Sequence, residues 1–210
     1  MDKNLEIKIK EAIKTIFNNV DINELSNYQK RQIIFSHLCK TLSYDFELLS
    51  KIYDNQVNKT KNKRNPKEEL QSVVFNNVGI CNAISQYYKL LLEQVGVKAY
   101  CVICDDGTPV NHQLTLVYDV ESGFYSFDDV TSVIVKRGER EDFFDYDIEH
   151  ANAKGQGNKK IMQDESFVLL PEEYINNFAI GRDSSPYESL TTLPTNISST
   201  KTSKNTISEM

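Results

Sequence analysis

The sequence predicts an α+β fold in which several helices, one of them bearing a cysteine, pack on an antiparallel sheet. Two observations predict this class. Apolar residues recur with helical spacing through most of residues 4–95. After Gly96 the pattern changes to an apolar run and then to strict alternation, which is typical of strands joined by short turns. The 210 residues are enough for one full-sized domain.

The N-terminal part is predicted to be helical. Residues 4–19 form an amphipathic pattern, and residues 27–42 form a second one. A short third helix is expected to start near Tyr44. The polar, basic run at 58–67 is interpreted as a solvated loop, in preference to a phosphate or anionic-lipid site.

The segment from Val78 to Gly96 predicts a buried helix that Cys81 begins. Its apolar residues follow the i, i+3, i+4, i+7 spacing of a helix packed in a core, and Gly96 is suited to the position just past the helix end. These residues are Ile84, Tyr87, Tyr88, Leu91, Leu92 and Val95.

The strands are predicted to follow this helix directly. Residues 97–104 form a strand covered on both faces, 105–109 a turn, and 112–120 a second strand. A three-residue hairpin loop at 121–123 would lead to a returning strand over 124–131, with a possible extension to 135. That loop length pairs residue 120 with residue 124.

The chain beyond Lys136 is predicted to be less regular. A flexible loop is expected at 151–160, a strand at 167–170 and a short helix at 171–178. Residues 181–210 contain 13 serines and threonines and few large apolar side chains, so a disordered tail is expected. The predicted organisation is a single domain over 1–180, with its core at about 27–135, followed by this tail.

Composition excludes several classes of protein. With 24 basic and 30 acidic residues the net charge is −6, which argues against a general nucleic-acid binder. No apolar run approaches the ~18 residues of a membrane span, and the first residues lack an apolar signal core. Four cysteines are too few for a disulfide scaffold, so a cytoplasmic protein is expected, although signal-less export would leave the same pattern. Frequent Asn, Lys and Ile favour a bacterial source with an AT-rich genome.

Thiol chemistry is indicated by the residue types that the predicted fold brings together. Cys81 begins a helix, and the partial positive charge at a helix N-terminus favours a thiolate. His112 begins a strand and can take up and return a proton. A carboxylate on the next strand can orient the imidazole. Pairing 120 with 124 places Asp128 on the face of His112, whereas a bulge at Gly123 would select Asp129 instead.

The same residues resemble the transglutaminase-like superfamily of cysteine enzymes, which shares a papain-like core. The resemblance covers about residues 27–135 and is carried by 42–47, 79–83, 87–91, 96–97, His112 with Val117, 124–128 and 130–131. It implies a Cys81–His112–Asp128 triad that acts on an amide or thioester carbonyl. Counting back from Val130-Thr131 would select Asp129. Leu114 stands where the family usually has tryptophan, so a packing or substrate contact is expected to be lost there.

The predicted function is acyl transfer through a thioester on a protein or peptide substrate, with hydrolysis of an amide as the first choice. Protein cross-linking or amine acyl transfer, and amidase or acetyltransferase chemistry, are alternatives. So are a non-catalytic peptide-binding module on this fold, and an interaction protein that uses the basic loop and the tail. No metal or organic cofactor is expected: Cys101 and Cys104 lie in a strand and are interpreted as structural, and no nucleotide-binding motif is found.

Overall fold

The computed structural model describes residues 2–60, 64–104, 112–120, 124–136 and Phe144. It combines helices with two small sheets, which confirms the predicted α+β class. The helices are α1 Lys3–Ile16, α2 Asn27–Thr41, α3 Phe46–Val57, α4 Pro66–Asn76, α5 Cys81–Gln94 and α6 Val130–Lys136, with a 3₁₀ turn at Ile22–Glu24. The strands are β1 Ser43–Tyr44, β2 Val78–Gly79, β3 Lys98–Cys104, β4 His112–Asp119 and β5 Phe124–Asp128.

The first two helices lie where the apolar spacing predicts them, and local caps set their starts. Ser26 and Gln29 form a reciprocal capping box at the start of α2. Helix α4 was not predicted. It begins with Pro66 in the first turn, where the missing N–H removes no bond, and acidic residues follow at 68 and 69.

Helix α5 is the centre of the fold. It runs from Cys81 to Gln94, as predicted, and most of its side chains are buried. It packs against β3 and β4 on one side and against α1, α2 and α4 on others. Gly96 follows its end with a φ of +81°, a conformation that glycine adopts without steric cost.

The larger sheet has the order β3-β4-β5 and is antiparallel throughout. Its β4–β5 register differs from the prediction by one residue. Asp119, and not Val120, pairs with Phe124. Side chains alternate between the two faces of a strand, so this single step moves Asp128 to the face opposite the predicted one.

The returning strand is shorter than predicted, because residues 130–136 form a helix where an extended strand was expected. The β-branched run Val130 to Val135 favours a strand by propensity. Asp129 overrides it by capping the segment: its carboxylate accepts hydrogen bonds from the backbone N–H and the hydroxyl of Ser132, at 3.0 and 2.6 Å.

A two-residue parallel ladder joins β1 to β2 and pairs Tyr44 with Gly79. Gly79 is required by close packing, because a Cβ at this position would overlap the Cγ2 of Val73 in α4. The ladder therefore carries the segment after α2 directly past the start of α5.

Several predictions fall outside the described residues. They are the turn at 105–109, the hairpin loop at 121–123, the loop at 151–160, the strand at 167–170, the helix at 171–178 and the tail at 181–210. Within the described part of the chain, no helix is both long enough and apolar enough to cross a membrane.

Candidate active site

Cys81 is the first residue of α5, and it is 3% exposed. The residue before it, Ile80, supplies no side-chain hydrogen bond to the helix start. The side chain before the cysteine therefore does not occupy the N–H groups of the first turn. This is the position that the sequence predicted for the candidate nucleophile.

His112 is the first residue of β4, and its ring lies between two other candidate residues. Its Nε2 is 2.8 Å from Oδ2 of Asp129, and the Cys81 side chain is close enough to influence the pKa of the ring. Burial by itself would lower the pKa of His112. The Asp129 carboxylate and the Cys81 side chain outweigh burial, so the pKa of His112 is raised well above its usual value.

Asp129 lies between β5 and α6 and is 1% exposed. Burial would raise the pKa of this carboxyl, but His112 and two hydrogen bonds from Ser132 outweigh it, so the pKa of Asp129 is below its usual value. A charged carboxylate beside a charged imidazolium is the electrostatic state that these contacts favour.

Asp128 was the predicted partner of His112, and the structure places it elsewhere. Its carboxylate binds the Arg31 guanidinium through both oxygens, at 2.9 and 3.2 Å, and accepts a 2.8 Å hydrogen bond from the Tyr88 hydroxyl. The reason is the register: Asp128 pairs with Thr115 and so lies on the odd-numbered face of β4, not on the face of His112. Asp129, the alternative left open by the sequence, contacts the histidine.

Tyr44 is a site residue that sequence reasoning missed. The ladder with Gly79 brings its hydroxyl to the start of α5, close enough for the backbone N–H and the thiol of Cys81 to influence its pKa. Burial first, and then the neighbouring Cys81, raises the pKa of Tyr44 above its usual value, so the phenol stays protonated and can donate.

Hydrogen bonds from polar side chains join the start of α5 to β4 next to the site. Asn82 donates to Oε1 of Gln113 at 3.0 Å, and Ser85 donates to the Gln113 carbonyl at 3.0 Å. The Cys81 sulfur is 3.4 Å from Oδ1 of Asn82. Because Gln113 follows His112 directly, these bonds hold the first turn of α5 against the start of β4.

Two further cysteines of the described residues lie on other elements. Cys101 is buried in β3 and its sulfur is 3.5 Å from Oε1 of Gln86, whereas Cys39 is half-buried in α2. Leu114, at the position of the expected tryptophan, is fully buried. Among the residues that the structure describes, no three histidine, cysteine or acidic side chains are grouped closely enough to hold a metal ion.

A cavity of about 560 Å³ lies beside Tyr44. It is bounded by the end of α2, by β1, by the start of α3 and by α6, and Lys40 is at its rim. Its apolar lining residues are Leu42, Phe46, Val133, Ile134 and Val135. The cavity shares Tyr44 with the Cys81 site, so the two are neighbours in the fold.

No protein-family model and no curated protein matches this sequence. Among solved structures, one described as "Crystal structure of a TGase" is similar, with 18% sequence identity and a TM-score of 0.49. The similarity covers 66% of this chain and 36% of that one, so the chain spans just over a third of that protein's length. TGase here denotes a transglutaminase.

Proposed function

We propose that this protein is a cysteine enzyme that attacks the carbonyl carbon of an amide or peptide bond and forms a thioester acyl-enzyme. The observation that supports the proposal is the position of His112, which is 2.8 Å from Asp129 and close enough to Cys81 for the cysteine to influence its pKa. A buried cysteine is ordinarily inert. This one begins a helix that has no side-chain cap, and it faces a histidine whose other side is bound to a buried carboxylate.

Each residue has a distinct role in the proposed reaction. Asp129 binds Nε2 of His112, which leaves Nδ1 to exchange a proton with the Cys81 sulfur. The imidazolium formed by that transfer is stabilised by the Asp129 carboxylate. In the proposed reaction, transfer of the thiol proton to His112 gives the thiolate, which is the nucleophilic form of cysteine.

Acylation then follows from this starting state. The Cys81 sulfur forms a bond to the carbonyl carbon, and the carbonyl π electrons move to oxygen. When the tetrahedral intermediate collapses, the C–N bond breaks and His112 gives its proton to the leaving amine. The backbone N–H of Cys81 and the hydroxyl of Tyr44, which are close to each other, are the donors that we propose for the oxyanion.

The second half of the reaction returns the enzyme to its starting state. His112 takes a proton from water, the water oxygen attacks the thioester, and the C–S bond breaks to release a carboxylic acid. An amine in place of water would give transamidation by the same steps. We propose hydrolysis of a peptide or side-chain amide as the activity. Amine transfer remains the alternative, as does a peptide-binding module without turnover.

The first experiment measures thiol reactivity. Full-length protein is treated with iodoacetamide at pH 6, and mass spectrometry follows alkylation at each cysteine. We expect Cys81 to react at least tenfold faster than free cysteine, and we expect Cys39→Ala and Cys101→Ala to leave that rate unchanged. A Cys81 rate no faster than that of free cysteine would contradict the proposal.

The second experiment looks for turnover. A peptide library is incubated with the protein, with and without a primary amine, and the products are identified by mass. Hydrolysis adds water to a cleaved or deamidated peptide, whereas transfer adds the amine. Cys81→Ala should remove either product, and Cys81→Ser nearly so, because a hydroxyl is a weaker nucleophile. Turnover by the alanine variant would exclude Cys81 as the nucleophile.

A further inference from the structure

A buried polar cluster lies directly behind the candidate site. It joins α2, α5 and β5 through Arg31, Tyr88, Ser126 and Asp128. The side chains of Arg31 and Asp128 are 1% and 0% exposed. We call these four residues the Arg31 clamp. None of them takes part in the steps proposed above.

The clamp has a fixed geometry. Arg31 Nε and Nη2 bind the two oxygens of Asp128, and Nη2 also donates to the Ser126 hydroxyl at 2.8 Å. A planar guanidinium bound at two points fixes the orientation of its partner more tightly than a single ammonium would. The Tyr88 hydroxyl adds a third bond to the same carboxylate. The end of β5 is therefore held in one position and one orientation.

Burying this ion pair is not the simplest way to stabilise a core. Removing two charges from water is expensive, and apolar side chains of similar volume often stabilise a protein as well or better. A buried ion pair is better explained where it selects one arrangement among close alternatives. Such an alternative exists here, because two adjacent aspartates lie at the end of β5.

The alternative arrangement is a shift of β5 by one residue along β4. Neighbouring side chains on a strand face opposite ways, so a one-residue shift would move Asp128 and Asp129 each to the face that the other now occupies. Either carboxylate would then lie in the wrong environment. Among the described residues, a guanidinium binds Asp128, and the Ser132 hydroxyl, three residues after Asp129, binds Asp129.

We propose that the Arg31 clamp is a positioning device, which selects the β5 register and orients the chain so that Asp129, and not Asp128, meets His112. This inference rests on the proposed function, since it assigns the clamp a purpose in that site. Tyr88 lies two helical turns after Cys81 on α5. The clamp thus ties the helix that bears the nucleophile to the strand that bears the acid.

The test compares four variants of the full chain. Asp128→Asn removes the charge, Tyr88→Phe removes one hydrogen bond, and the double variant Arg31→Met/Asp128→Leu replaces the ion pair by apolar groups. Ile9→Ala, a fully buried position in α1, is the control for a simple loss of stability. Tyr88→Phe keeps the proposal testable if the charge variants fail to fold.

Two measurements are made on each folded variant. The first is the rate of Cys81 alkylation as a function of pH. At pH 6 this rate should fall at least tenfold in Asp128→Asn and at least threefold in Tyr88→Phe. The second is the NMR titration of His112, assigned with His37→Gln and His150→Gln, whose midpoint should move toward that of a free histidine. Ile9→Ala should lower the melting temperature and leave both measurements unchanged.

The outcomes separate this inference from the proposed function. If the wild type alkylates no faster than free cysteine, the proposed function fails, and the NMR titration still tests the clamp. If the clamp variants keep the wild-type alkylation profile and the His112 midpoint while only their melting temperatures fall, the clamp is structural and this inference is overturned.

Discussion

Tyr44 and Gly79 are partners in a two-residue parallel ladder, and this pairing brings a phenol hydroxyl to the first residue of α5. The two positions are far apart in the chain. Their contact brings the phenol close to the backbone N–H and the side chain of Cys81, and the proposed function uses both groups as donors to the oxyanion.

Tyr44→Phe should therefore separate two kinds of thiol reaction. Acylation by p-nitrophenyl acetate passes through an oxyanion and should slow about 10²-fold or more, the usual effect of losing one oxyanion donor. Alkylation by iodoacetamide forms no oxyanion and should change little. Equal losses in both rates would show that Tyr44 supports the thiol itself.

Asp129→Asn should lower the rate of acylation more than Asp128→Asn does. The amide cannot stabilise an imidazolium, and the equivalent change in serine triads lowers the rate ~10⁴-fold. Rates of p-nitrophenyl acetate acylation, measured for variants with unchanged melting curves, provide the check. This expectation reverses the sequence-based assignment of Asp128. A larger loss of rate in folded Asp128→Asn than in Asp129→Asn would restore that assignment.

The stability of the protein should depend on pH through His112 and Asp129. Because the pKa of His112 is raised on folding, its protonation stabilises the folded protein. This contribution is complete below about pH 6.5, the ordinary pKa of histidine, and is lost as the pH rises through the raised pKa. The lowered Asp129 pKa adds stability above about pH 4, and this is lost as the pH falls through the lowered value. Both contributions are fully present together between about pH 4 and 6.5.

Urea unfolding of the wild type and His112→Gln at about pH 5.5 and about pH 9.5 measures this effect. The wild type should have a stability advantage at the lower pH that shrinks at the higher one. His37→Gln is the control with the opposite sign. Burial, with Lys40, lowers the pKa of His37, so replacing it should help more as the pH falls. A His112 advantage that does not change with pH would contradict the assigned ion pair.

Gly79→Ala should destabilise the protein by about 1–3 kcal/mol, the usual range for overpacking a core. The added methyl would overlap Val73, which is fully buried in α4. Denaturant midpoints of Gly79→Ala, Val73→Ala and the double variant provide the measurement. The double variant should be more stable than the sum of the two single effects predicts, because Val73→Ala makes room for the methyl. Strict additivity would exclude this contact as the cause.

The start of α5 at Cys81 could be predicted because several local signals agree there. Apolar spacing, the preceding glycine and the stop at Gly96 all indicate the same helix, and the hydrogen bonds of that helix are local. The position of His112 at the start of a strand could likewise be predicted, because apolar and polar residues alternate after it. These two site residues therefore needed no knowledge of long-range pairing.

The acid and the tyrosine could not be predicted with the same certainty. The choice between Asp128 and Asp129 depends on a strand register, and one residue in a turn decides it. Tyr44 reaches the site through a ladder of only two residues, too short to leave an alternating pattern. Helix α6 was missed because its β-branched residues favour a strand, and the Asp129–Ser132 cap outweighs that preference.

The residues of the Arg31 clamp are synthesised at different times, because they are far apart in the chain. Arg31 and Tyr88 leave the ribosome before Ser126 and Asp128 do, so the last partners of the clamp come from the end of β5. Asp129 follows Asp128 directly, so the carboxylate that contacts His112 also leaves the ribosome after Arg31, Cys81 and His112. The contact between His112 and Asp129 can therefore form only after most of the described domain has been synthesised.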